Sequence, residues 1–468
     1  MSEAQTTKIL NESNINPLVT VYVTNFNYAN YIKQSIESVL AQTYKNFELI
    51  IIDDGSTDNS REIINRYIEE TNIRVIFQEN KGLIASNNIA VRAAQGKYVM
   101  RLDADDYLDS NALLVLVNAI EKSDDIALIF PDYYYVNAIG EVTGQERRHN
   151  FQANVTLLDQ PAHGACTLIR RNSLLEVGGY SPEFTCQDGW DLWLKLTENY
   201  SVGNVNLPLF YYRKHDTNLT NDTDRLLETR AEIYKTHAKR TKRPHLKVIA
   251  VLPTRGPGIE ADSQILSKLG DKTLIDWTID AVLESSMVCE LIITTPDQDV
   301  INYLNNRYGN KLTIVDRNKD EALENMSYAP AVKTAIESRK TSSFDVVLEL
   351  TAESPFRKTS YIDKAINVMR VHNVDKVLGV VPDDSKLYLH TGSGLIKLGN
   401  DNNALRFERE YLYRQSGGIM LSKKHCYLDN HDPKTEKKGH IVLSKKAGIL
   451  VRDLFERKVA ELVLKENL

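Results

Sequence analysis

Val99-Met100-Arg101-Leu102-Asp103-Ala104-Asp105-Asp106 begins as an apolar strand and ends in three carboxylates within four positions. Side chains alternate across a strand, so Asp103 and Asp105 share one side of the pleat. Asp106 can turn inward where the strand breaks. Carboxylates this crowded repel one another unless a cation or donor groups compensate. Hard oxygen ligands at this density suit Mg2+ or Mn2+, which bind through one or two carboxylates plus substrate phosphates. Taken alone, the same residues also read as a solvated acidic turn behind a buried strand.

The neighbouring segments repeat the opening strand. Apolar runs at 18–23, 47–53, 73–78 and 126–132 alternate with helical patterns, and 246–252, 290–295, 311–316, 344–350 and 375–381 do so again. Buried β-branched strands separated by helices predict an α/β protein with mostly parallel sheets covered on both faces. Two Rossmann-like α/β domains are expected, the second of related architecture but without a detectable sequence repeat. Residues 225–242 read as a charged helix and 239–244 as a basic linker. The expected division is 17–222, a helical and basic linker over 223–244, and 245–468. In open sheets of this kind, ligands sit beyond the carboxyl ends of the strands.

The 468 residues are 42% hydrophobic and 26% charged, ordinary values for a globular chain. A net charge of −6 gives no reason to expect nucleic-acid binding. Cys166, Cys186, Cys289 and Cys426 are scattered without a CxxC pair, which argues against zinc and disulfides and for reduced core thiols. The polar first residues lack the apolar core of a signal peptide, and no run of about 18 apolar residues appears. The expectation is a cytoplasmic protein, compatible with contact at the inner face of a membrane.

Ile50-Ile51-Ile52-Asp53-Asp54-Gly55-Ser56-Thr57-Asp58 places two carboxylates at another strand end, where Gly55 permits a tight turn. A carboxylate there can accept hydrogens from a nucleotide base. Ser56, Thr57 and Asp58 read as an N-cap for a helix at 59–70. Asn27, in Thr24-Asn25-Phe26-Asn27, is either a nucleotide contact or turn chemistry. Tyr133-Tyr134-Tyr135 reads as sheet packing.

Taken in order, VTVYVTNFNYANYIKQSIESVLAQTYKNFELIIIDDGSTD, NKGLIASNNIAVRAAQGKYVMRLDADD, HGACTLIRRNSLLEVGGY, QDGWDLWLKL and YYRKHDTNLT resemble the family 2 glycosyltransferases of GT-A fold, of the spore-coat polysaccharide type. The resemblance implies that Thr24, Asn27, Asp53, Asp54, Lys81, Asp103 and Asp105 bind the nucleotide donor. It makes Asp106 the metal ligand, with Asp105 and His215 beside it, and Mn2+ or Mg2+ the cofactor. Asp188 matches the catalytic base of an inverting transfer, although Gln187 stands where the family carries Glu. His163 and Trp190 fall on the acceptor side. Asp191 and Trp193 read as helix residues, one exposed and one packed. The implied partners are a nucleotide-sugar donor, a UDP-sugar first, and a glycan or lipid-linked acceptor. Self-association is compatible with the sequence.

Val251-Leu252-Pro253-Thr254-Arg255-Gly256-Pro257-Gly258, the helix at 274–283 and Leu348-Glu349-Leu350-Thr351-Ala352-Glu353 together resemble the cytidylyltransferases that activate sialic-acid-like and Kdo-type sugars. The resemblance makes Arg255 and Glu353 the nucleotide and metal residues. Where that family carries a phosphate-binding lysine, residues 259–264 are acidic or neutral. Leu450 and Arg452 stand where it supplies further carboxylates. The second unit therefore reads as a nucleotidyltransferase fold with parts of its chemistry missing.

Overall fold

The computed structural model describes residues 16–147, 161–215, 222–319, 328–338, 343–383, 385, 387–392, 394–397, 412–427 and 431–466. The chain divides into two compact units, with the break between Asp222 and Thr223. In the first unit, β1 (Val19–Asn25), β2 (Phe47–Asp54), β3 (Ile73–Gln78) and β4 (Tyr98–Asp103) are parallel. The sheet is completed by β5 (Tyr107–Leu108), β6 (Ile126–Val136), β7 (Val142–Glu146), β8 (Leu168–Arg170) and β9 (Ser201–Arg213), in the order β3-β2-β1-β4-β8-β6-β9-β5 with β7 on β6. Every residue of β1 is buried, and Leu49–Ile52 of β2 are buried too, which is why that run of β2 is continuously apolar rather than alternating.

The second unit contains β10 (Val248–Pro253), the short pair β11 (Lys268–Leu269) and β12 (Lys272–Thr273), then β13 (Val288–Thr295), β14 (Thr313–Asp316) and β15 (Val346–Leu350). It continues through β16 (Lys376–Asp383), the hairpin β17 (Tyr388–Thr391) and β18 (Gly394–Lys397), β19 (Leu412–Lys423) and β20 (Lys438–Val442). Its main sheet runs β14-β13-β10-β15-β19-β16-β20. Counting the seven principal strands of each sheet in chain order, both read 3-2-1-4-6-5-7. In both, the sixth strand is antiparallel to its neighbours, as β8 is to β4 and β6 and β19 is to β15 and β16. The two units therefore share a topology, and β4 in the first corresponds to β15 in the second.

Three expectations change. The helix Thr223–Arg240 lies within the second unit instead of standing apart as a linker. It packs against the helix Thr359–His372, with Lys358 Nζ 2.8 Å from Glu228 and the Tyr234 hydroxyl 3.1 Å from His372 Nε2. The helix after Asp58 spans only Ser60–Asn65, though Asp58 still acts at its start by accepting from the Ser60 amide at 3.0 Å. The cysteines are free, as expected, but Cys289 is exposed rather than a core thiol. Among the described residues, no helix is long and apolar enough to cross a membrane.

Candidate active site

The end of β4 is built by two arginines that the sequence reading passed over. Arg213, at the end of β9, is 2% exposed and holds the turn after β4 from the side. Its amide donates to Asp106 Oδ1 at 2.8 Å, and its Nε donates to the Asp105 carbonyl at 2.8 Å. Its guanidinium also lies 4.7 Å from the Tyr31 ring centre. Asp105 Oδ2 is 3.0 Å from His215 Nε2, and the His215 ring stacks on Tyr31. Asp106 Oδ2 is buried and has no hydrogen-bond partner. Burial, followed by the like charges of Asp105 and Asp103, pushes the Asp106 carboxyl well above the ordinary range. Asp105 is raised by burial and by Asp103. An acidic pair with one orphaned oxygen fits a divalent cation, whose charge would offset that repulsion. Residues 216–220 of the last family-like motif lie outside the described residues.

Arg101, two residues before Asp103 on the same face of β4, joins the acidic turn to Asp188. Its Nε donates to Asp103 Oδ1 and its Nη1 to Asp188 Oδ2, both at 2.6 Å. Asn87 Nδ2 donates to the same Asp188 oxygen at 3.0 Å, while Oδ1 accepts nothing from a described residue. Asp188 is the first residue of the helix Asp188–Asn199, where the helix dipole favours a carboxylate. Gly164 and Gly189 lie beside one another above Arg101, where a Cβ on Gly164 would stand 3.4 Å from Arg101 Nη1, an ordinary contact.

Trp190 is half-buried beside Asp188. The His163 ring sits among Tyr133, Phe210 and Tyr212, with centroids 4.7–5.3 Å away, and its Nδ1 accepts from the Ala165 amide. Tyr133 and Tyr135 thus face His163's side of the sheet, while Tyr134 stacks on Tyr211. Asp191, expected to be exposed, is 1% exposed because Ser181 and Lys195 reach its Oδ2 at 2.7 and 2.8 Å. Trp193 is packed, edge-on to Phe130.

At the ends of β1 and β2, several expected donor contacts are engaged within the protein. Asp53 is fully buried, accepting from Asn25, from the Ser56 amide and from Arg61 Nε at 2.9 Å. Asp54 accepts from Gln78 at 2.6 Å and from the Lys81 and Gly82 amides at 2.8 Å, and so fixes the loop that starts the helix Leu83–Ala93. The Lys81 side chain is exposed. Asn27 adopts a left-handed backbone, φ 61°, and its Oδ1 accepts from the Thr57 amide at 2.8 Å, which is turn chemistry. Thr24 is buried, in register with Asp103 on β4. Gly55, φ 82°, is required twice over, because a Cβ there would lie 2.7 Å from the Asn80 amide nitrogen. These loops border an open pocket of about 470 Å3 lined by Gly55, Arg61, Phe77, Gln78, Glu79 and Asn80. Arg61 covers the Phe77 ring, and neither residue was anticipated.

In the second unit, Glu353 lies three residues past β15, the offset that Asp106 has from β4. Its surroundings differ. Burial and the nearby Glu260 raise its carboxyl, and the charges of Arg357 and Arg255 oppose that shift. Arg357 is consumed by structure: it donates to the carbonyls of Gly417, Gly418 and Thr351 and to Thr278, and burial pushes it down to about 9. Arg255 lies over the Tyr328 ring at 5.8 Å. The glycine loop is folded onto Asp297, which accepts from the Gly258 amide at 2.8 Å. A Cβ on Gly256 would sit 2.3 Å from the Asp297 carboxylate. Arg452 is paired with Glu456, and Asp453 caps the helix Leu454–Lys465.

Both units have counterparts among known proteins. Residues 20–178 match the Glycosyl transferase family 2 model, and residues 264–438 match the Cytidylyltransferase model. Each of the two α/β units thus contains a segment similar to one of these families. It is similar to hyaluronan synthase of Pasteurella multocida, 31% identical over 202 residues, covering 42% of this chain and 21% of that one. It is also similar to glycosyltransferase GlyG of Streptococcus pneumoniae, 37% identical over 135 residues, 28% of this chain and 45% of the relative. The chain therefore spans less than half the length of these curated relatives. Among solved structures, TarS 1-349 of S. aureus in complex with UDP-GlcNAc aligns with a TM-score of 0.41 and 19% identity, over 47% of this chain and 66% of that one. Asp188 and His215 lie beyond the segment matched by the first family model.

Proposed function

We propose that the first unit is an inverting, metal-dependent glycosyltransferase that moves a sugar from a nucleotide donor to a glycan or polysaccharide acceptor. The observation that carries this reading is the Arg101 bridge, which links Asp188 to the acidic turn through Oδ2 and, among the described residues, leaves Oδ1 unengaged. In this reading, Oδ1 takes the proton from an acceptor hydroxyl as that oxygen attacks the anomeric carbon. Arg101 and Asn87 hold the other oxygen and orient the carboxylate. Asp106, flanked by Asp105 and His215, would hold Mn2+ or Mg2+, which supplies positive charge against the donor diphosphate and the departing nucleotide. The base would enter the pocket beside Arg61 and Phe77, where Asp54 acts by shaping the wall. Trp190 and the His163 cluster border the acceptor side. A UDP-sugar is the first donor to try. A thermal-shift panel of UDP-, GDP-, CMP- and dTDP-sugars with and without Mn2+ tests the reading. A Mn2+-dependent shift with one donor, lost in Asp106→Asn, is expected, and no shift with any donor would remove the assignment.

For the second unit we infer a binding or regulatory role. The Glu260 charge opposes ionisation of Glu353, Arg357 is engaged in structure, and Arg452 is paired with Glu456, a set poorly suited to holding a triphosphate with metal. The alternative is active cytidylyl transfer to a nonulosonic- or Kdo-type sugar, favoured by the placement of Glu353 and by the family likeness of residues 264–438. Pyrophosphate release from CTP and a 2-keto sugar by the full chain, lost in Glu353→Gln, would establish the alternative.

A further inference from the structure

We propose that Cys426, His431 and Glu436 form a zinc site in the second unit, separate from both nucleotide sites. Their thiol, imidazole and carboxylate ligand atoms all lie within 4.8 Å of one another, and no other such group occurs among the described residues. A tetrahedral ion with bonds of about 2.0–2.3 Å sets its ligands roughly 3.5 Å apart, so these groups close on an ion through small side-chain rotations. A mixed sulfur, nitrogen and oxygen set is one that zinc accepts.

The ligands are held by paired backbone. Cys426 lies on the turn Lys424–Tyr427 that follows β19, and Glu436 precedes β20 by two residues. Between them, Asp375, just before β16, donates its amide to the Lys437 carbonyl at 2.8 Å and accepts from the Lys423 amide at 2.9 Å. The Asp375 carbonyl also lies 3.8 Å from Cys426 Sγ. The site would therefore clasp the ends of three neighbouring strands.

One observation points to a missing partner. The Glu436 side chain is 2% exposed; its Oε1 lies 2.9 Å from both His431 Nε2 and Lys376 Nζ, yet its Oε2 has no hydrogen bond. Lys438 Nζ is 3.6 Å from Oε2, an ion pair without a hydrogen bond. A second imidazole, His425, has its ring centre 5.5 Å from that of His431 and is the fourth ligand the geometry offers, with water as the other. The competing explanation is an ion-pair network centred on Glu436, and such a network has no need of the thiol. Zinc binds the thiolate, so binding would release the Cys426 thiol proton.

The test uses the full chain, stripped with a chelator and titrated with Co2+ as the probe. One equivalent is expected to give a thiolate-to-cobalt charge-transfer band that Zn2+ abolishes. Cys426→Ser should lose the band, His431→Gln should weaken cobalt binding at least about tenfold, and Cys289→Ser should retain the band. A second readout needs no variant: Zn2+ should protect Cys426 from alkylation, mapped by mass spectrometry, while exposed Cys289 is alkylated regardless. No charge-transfer band, a band that survives Cys426→Ser, or alkylation of Cys426 unaffected by Zn2+ would overturn the site.

Discussion

The turns after β4 and after β15 occupy the same place in two sheets of one topology, and their chemistry diverges. After β4, Asp103, Asp105 and Asp106 crowd together, and two buried arginines arrange them without filling the last oxygen of Asp106. After β15 a single acid, Glu353, remains, and the buried arginine beside it spends its donors on backbone carbonyls. The fold supplies a place beyond the strand ends, and the side chains delivered there decide whether it can hold a charged ligand.

The comparison breaks most visibly at Asp188. Asp188→Asn is expected to lower kcat for sugar transfer by about 10²–10⁴-fold with donor binding intact, measured by nucleotide release. A loss of donor binding instead would make Asp188 a donor residue. Arg101→Met comes next. Removing one member of a buried ionic set costs about 3–5 kcal/mol, so a clear drop in melting temperature is expected together with lost activity. Unchanged stability would mean that the bridge does not organise the site.

Asp106 and Glu353 give a paired test with opposite metal responses. Both carboxyls are raised by the fold, so each weakens stability as pH rises from its unfolded pKa through its folded one. Without metal, Asp106→Asn should therefore raise the melting temperature at pH 7.5, with the gain shrinking as pH falls into the ordinary carboxylate range. Adding Mn2+ should stabilise the wild type, increasingly toward higher pH, and should not stabilise this variant. Glu353→Gln should show the same pH trend at a smaller size, with the Mn2+ response intact. A Mn2+ shift that survives Asp106→Asn but vanishes in Glu353→Gln would exchange the roles of the two sites.

The strands around each site were legible because parallel strands buried on both faces read as unbroken apolar runs. The long β9 was not, since Gly203, Asn204, Asn206 and Pro208 interrupt its pattern. The acidic turn and Asp188 were legible as motifs; their connection was not. Arg101 and Asp188 are 87 positions apart, and a lone arginine in a strand reads as a solvent-facing residue. Its one local signal was the two-residue spacing from Asp103, which puts both on one face. Asp53 misled in the opposite way: its place at a strand end suggests ligand contact, but Arg61, Asn25 and Ser56 have already engaged it. The burial of Asp191 likewise depends on Ser181, a contact across a turn that helical periodicity does not encode.

The most direct measurement is Mn2+-dependent transfer from a UDP-sugar to a glycan acceptor, followed by the anomeric configuration of the product, in wild type and Asp188→Asn. The account predicts a product of inverted configuration from the wild type and loss of transfer in the variant with donor affinity unchanged. Retained configuration, or transfer that survives Asp188→Asn, would contradict it.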